Sequence, residues 1–77
     1  MKQRLKVALA KADMTQNELA EKIGMLPASL NYRINGHVDF KLSEIRDIAK
    51  TLNLTGEEIT AIFFDNEVEK NSTGGVA

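Results

Sequence analysis

The run Thr15-Gln16-Asn17-Glu18-Leu19-Ala20-Glu21-Lys22-Ile23-Gly24, continued by Met25-Leu26-Pro27-Ala28-Ser29-Leu30-Asn31-Tyr32-Arg33-Ile34-Asn35-Gly36, writes two helix starts and two helix stops into 22 residues. Thr15 to Glu18 fit a capping box, in which the hydroxyl accepts from the backbone N–H three residues on and the carboxylate reaches back to the first N–H. Leu19, Ala20 and Ile23 then face inward. Gly24 stops the helix, because glycine takes the left-handed cap without a Cβ clash. Only Gly24, Met25 and Leu26 precede Pro27, whose missing N–H costs nothing at a first helical position. Residues 27–35 read as a second helix, with Leu30 and Ile34 one turn apart on its buried side and Gly36 as its stop.

Two short helices around a tight glycine turn define a helix-turn-helix. Its demands are specific. A small residue must sit where the helices cross, and Ala20 supplies it. The turn needs a residue free to take positive φ, and Gly24 supplies it. An inward aliphatic must lock the second helix onto the first, and Leu30 supplies it. The outer face then offers Ala28, Ser29, Asn31, Tyr32 and Arg33, with no acidic residue from Pro27 to Gly36. A carboxylate there would repel phosphates.

The helical period continues outward, with no sustained strand alternation. Leu5, Ala8, Leu9 and Ala12 form the stripe of a first helix. Leu42, Ile45, Ile48, Ala49 and Leu52 form that of a fourth, with Phe40 as a plug before it. Thr55-Gly56-Glu57-Glu58 is a second capping box, opening a last helix that turns Ile59, Ile62 and Phe63 inward. The expected fold is all-α, a compact five-helix bundle with the helix-turn-helix at helices 2 and 3. Its domain spans residues 1–66, and residues 67–77 form an acidic and polar tail expected to be disordered. Phe63 and Phe64 are adjacent, so on an α-helix they point about 100° apart. One of them is therefore expected to be exposed or to sit in an interface, and Ile59, Phe63 and Phe64 are the candidate dimer or partner surface.

Composition closes other routes. A chain of 77 residues makes one small domain. Without cysteine there is no disulfide, no thiolate nucleophile and no zinc-thiolate site, and His37 alone cannot make a two-histidine site. No paired catalytic carboxylates, glycine-rich phosphate loop or nucleophile–base pair can be argued from spacing, so neither an enzyme, a cofactor nor a metal is expected. Val7-Ala8-Leu9-Ala10, bracketed by Lys6 and Lys11, falls short of the roughly 7–15 apolar residues of a signal-peptide core. Nothing approaches the ~18 of a membrane span. Cytoplasmic residence is the expectation.

The net charge of −1 conceals an asymmetry. Residues 1–50 carry nine basic and six acidic side chains, a net of +3, while residues 51–77 carry one and five, a net of −4. A basic front facing a polyanion and an acidic back fit this division, as do plain solvated faces.

Thr15-Gln16…Glu18-Leu19-Ala20…Ile23-Gly24, then Leu30, Asn35-Gly36 and Ile48-Ala49-Lys50-Thr51-Leu52, together resemble the phage repressor and Cro-like (XRE-type) helix-turn-helix family, whose fold is the lambda-repressor-like bundle. Phe40 to Ile45 with Glu57 to Phe64 look like the small single-domain versions common in Gram-positive phages and mobile elements. The resemblance covers roughly residues 2–64. It implies that the backbone N–H of Gln16 meets a phosphate while its side chain braces the recognition helix, with Thr15 beside it. Ala28, Ser29 and Tyr32 occupy positions that usually face base edges. Asn31 and Arg33 flank that face, within reach of bases or phosphate. Asn35 resembles the family's phosphate-binding asparagine, and His37 and Lys41 are placed to add backbone contacts. Three departures follow. Pro27 stands where relatives often carry an adenine-reading glutamine. Leu26 replaces the usual Ser or Thr N-cap, a loss of roughly 1 kcal/mol. Arg33 occupies an often apolar position, so Ile34 is expected inward and Arg33 at the groove rim.

The implied function is a DNA-binding transcription regulator, a repressor of phage or mobile-element genes. It would act as a homodimer, at least on DNA, on a near-palindromic double-stranded operator. The alternative is a protein-binding antirepressor or antitoxin module that grips a partner protein with the same fold.

Overall fold

The computed structural model describes residues 1–64 and is helical throughout, with no strand among them. The α-helices are α1 (Lys2–Lys11), α2 (Gln16–Lys22), α3 (Pro27–Ile34), α4 (Leu42–Leu52) and α5 (Gly56–Ile59), and a π-helical turn (Thr60–Phe64) continues α5. The expected five-helix, all-α architecture is therefore the observed one. The boundary placed at residue 66 and the tail at 67–77 lie outside the described residues.

The core takes one wholly buried aliphatic from each of the first four helices: Leu5, Leu19, Leu30 and Ile48. Each such side chain stabilises the fold by about 1.5–3 kcal/mol relative to exposure. Ala20 is completely buried at the α2–α3 junction, as a close crossing requires. Ile34, Ile45, Leu52, Ile62 and Phe63 close the core, and Phe40 packs against it. The Phe40 and Phe63 rings meet edge to face at 5.3 Å and 82°, a favourable geometry for aromatic quadrupoles. No polar or charged side chain among the described residues is buried.

Both capping boxes form as expected. Thr15 accepts from the Glu18 N–H and Glu18 from the Thr15 N–H, at 3.1 and 2.8 Å. Thr55 and Glu58 repeat the pattern at the same distances. The helix ends are also alike. At α2, Met25 N–H donates to the Ala20 carbonyl at 2.9 Å across Gly24, and at α3, His37 N–H donates to the Tyr32 carbonyl at 3.0 Å across Gly36. The two glycines have φ of 72° and 86°. The same closure ends α1 and α4, where Asp13 and Asn53 take the left-handed position, both at φ 55°. The sequence carried no glycine at these two sites, so those stops went unread.

Two expectations need correction. Leu42, assigned to the inward stripe of α4, is 78% exposed. It occupies the first position of the helix, where the chain is still entering, and Phe40 fills the space inside instead. The last helix does not stay α. The π turn holds more residues per turn, so consecutive side chains diverge less than in an α-helix. Phe63 is buried and Phe64 is half-buried against the core, so neither stands fully exposed. Arg4 of α1 donates to the Ala61 carbonyl within this turn at 3.4 Å.

Candidate nucleic-acid interface

The Schellman-type turn at Gly24 and the core residue Leu30 hold α3 against α2, leaving the opposite side of α3 to solvent. Ala28, Asn31, Tyr32 and Asn35 are exposed there, with Ser29 half-buried at the margin. Tyr32 keeps 57% of its surface in solvent, so its ring lies on this face and does not cap the core. His37 lies beyond the helix stop and tilts against it, with ring centroids 5.0 Å apart. Ala28, Ser29, Tyr32, Arg33 and Val38 line an open hollow along the face.

The side chain of Gln16 crosses from the start of α2 and donates through Nε2 to Oδ1 of Asn31 at 3.2 Å. This is the brace that the resemblance implied. It uses one lone pair of the Asn31 oxygen and fixes the amide, whose two hydrogens can donate to whatever approaches. Thr15 uses its hydroxyl in the α2 cap. Asn35 is the C-cap of α3, and Lys41 is the N-cap of α4.

Arg33 reaches across to α4. Its Nε donates to Glu44 Oε1 at 3.1 Å and its guanidinium also donates to the Ser29 carbonyl at 3.2 Å. The pair is largely shielded, at 18% and 17% side-chain exposure. The inward position of Ile34 is as expected, and the guanidinium is paired with Glu44 of α4 while Arg33 still lines the hollow along the α3 face. The sequence contained Glu44, yet nothing local joins residues eleven apart on different helices.

Reading the sequence also passed over Lys2 and Lys6. With Gln16 and Ile34 they border a crevice between α1 and the helix-turn-helix. One turn apart on α1, both exposed, they place two positive charges beside Gln16 at the α2 N-terminus, where helix amides favour an anion. Their only signal in the sequence is charge at helical spacing. The proposed interface residues Ile59 and Phe64 are half-buried, and Phe63 is part of the core.

A family model described as helix-turn-helix matches residues 5–59 of the chain. The chain belongs to the helix-turn-helix family. The match spans all of α1 to α4 apart from the first turn of α1, and its type is the XRE, Cro-like one that the motifs resembled. No curated protein and no solved structure gave a significant match. Membership supports a DNA-binding regulator. Among the described residues of this helix-turn-helix protein, no helix is long and apolar enough to cross a membrane. No group of three or more His, Cys, Asp or Glu side chains there is placed to hold a metal ion.

Proposed function

We propose that this chain is a sequence-specific repressor that binds near-palindromic operator DNA as a homodimer. One observation carries the reading: α3 presents an exposed, carboxylate-free face, and Gln16 orients one of its polar residues, Asn31, toward the outside. In the helix-turn-helix geometry this face enters the major groove, and a dimer sets two such helices about 34–36 Å apart on successive turns of the duplex.

Phosphate contacts from the Gln16 backbone, Asn35, Lys41, Lys2 and Lys6 would position each subunit, and base contacts from Ser29, Asn31 and Tyr32 would specify sequence. Arg33 is absent from this set, because its guanidinium is engaged by Glu44. Bound near a promoter, such a dimer represses by occluding polymerase. The resemblance to phage repressors supports phage or mobile-element genes as its targets.

Titrating the full chain with duplexes selected from a random library, over a salt series, tests the proposal. Affinity should fall linearly on logarithmic axes, with a slope of about −0.9 per phosphate contacted. Affinity that does not change with salt, or failure to enrich any duplex, would overturn it.

A further inference from the structure

The N-cap and the first two residues of α3 carry no side chain able to form a hydrogen bond: they read Leu26, Pro27 and Ala28, all exposed. Leu26 leaves 72% of its surface in water. It is neither a member of the core nor packed against it. As the N-cap residue it makes no side-chain capping bond, although Ser, Thr, Asp or Asn would supply one there. Folding therefore gives this leucine nothing in return for a lost cap and an exposed apolar surface.

DNA offers a reason. The N-terminal residues of a recognition helix meet base edges in the major groove. There adenine, guanine and cytosine are told apart by hydrogen-bond donors and acceptors, and thymine alone adds an apolar group, the C5-methyl. The side chains of these three residues have no donor or acceptor, so they can distinguish only that group. Pro27 shares a hollow with Glu18 and Glu21, whose carboxylates repel phosphate, which leaves Leu26 as the large apolar side chain on offer.

Building on the DNA-binding reading above, we propose that Leu26 reads the C5-methyl group of a thymine in each operator half-site, so that specificity at that position comes from an apolar contact. The Ala28 methyl, two residues on, keeps the approach open.

The test takes the half-site enriched by the full chain from a random duplex library and replaces each thymine in turn by deoxyuridine, which removes only the methyl. One replacement should weaken binding about fourfold, the worth of one buried methyl group. The Leu26→Ser variant should bind the thymine and deoxyuridine duplexes equally, while its melting temperature rises because serine restores the cap. The melt shows independently that the variant is folded. If no deoxyuridine duplex binds more weakly, or if Leu26→Ser keeps the discrimination, the thymine assignment falls while the DNA-binding reading stands. If no duplex is enriched, both fall together.

Discussion

Oε1 of Glu44 receives two hydrogen bonds, from Arg33 Nε at 3.1 Å and from the Lys41 backbone N–H at 2.8 Å. The first joins the recognition helix to α4, and the second closes the N-terminus of α4 from its third residue. One carboxylate oxygen thus fixes the second helix of the helix-turn-helix to the helix behind it. A lysine ammonium cannot accept a hydrogen bond, so Glu44 provides this cap alone.

Removing either partner should therefore be felt mainly as stability. Glu44→Ala is expected to cost about 1–2 kcal/mol, since it deletes a charge-assisted bond and a cap together. Arg33→Ala should cost about 1 kcal/mol. Urea denaturation of both single variants and the double variant gives the coupling, expected at about 0.5–1 kcal/mol for a partly shielded pair. Additive losses would show that the pair does not couple.

DNA contacts should separate from this clamp in their salt dependence. Lys2→Ala and Lys6→Ala together should flatten the slope of log affinity against log salt by about 3.6, the worth of two phosphate contacts from each subunit of the dimer. Asn31→Ala and Tyr32→Ala should instead cost about 1–3 kcal/mol on the best operator and less on others, leaving the slope unchanged. Fluorescence anisotropy over a salt series, on specific and scrambled duplexes, distinguishes the two patterns.

The helix stops make opposite predictions at similar positions. A Cβ at Gly36 meets nothing within 4 Å, yet its φ of +86° disfavours any L side chain. Gly36→Ala should therefore destabilise the fold by about 1 kcal/mol through backbone strain alone. Asn53, already at φ 55°, should gain about 0.5 kcal/mol from Asn53→Gly, the strain relieved being partly offset by glycine's greater freedom in the unfolded chain. Thermal melts of the two variants should shift in opposite directions.

Acid should weaken both capping boxes. The Thr15 N–H, then the Thr15 hydroxyl-mediated contact, holds the Glu18 carboxyl below the usual range, and the Thr55 N–H does the same for Glu58. A carboxyl lowered in the folded state adds stability above its ordinary value, and that stability is lost as pH falls through the folded value. The loss should begin near pH 4–5 and continue downward. Glu18→Gln with Glu58→Gln keeps acceptors in both boxes but does not titrate, so its acid limb should be shallower in urea melts from pH 6 to pH 3.

Much of this architecture was legible residue by residue. The capping boxes at Thr15 and Thr55, the turn at Gly24, the stop at Gly36 and the inward Leu5, Leu19, Leu30 and Ile48 all rest on interactions within one or two turns of the chain. Local spacing encodes them directly. The exposed face of α3 followed by subtraction, once Leu30 and Ile34 were assigned inward. The stops at Asp13 and Asn53 are less legible, because glycine marks a left-handed stop plainly whereas short polar side chains tolerate that conformation without being specific to it.

What required the folded chain was the destination of long side chains and the last helical turn. Arg33 has helical spacing suited to a groove rim, but α4 brings Glu44 within 3.1 Å. Gln16 reaches Asn31, fifteen residues on, and Arg4 reaches Ala61, fifty-seven residues on. Phe63 and Phe64 both turn toward the core through a π turn whose partners, Phe40 among them, lie on other elements. Helix positions and their apolar stripes follow from backbone bonding within a few residues. The partner of a flexible charged or aromatic side chain depends on which helix packing places beside it, and sequence spacing carries no record of that distance.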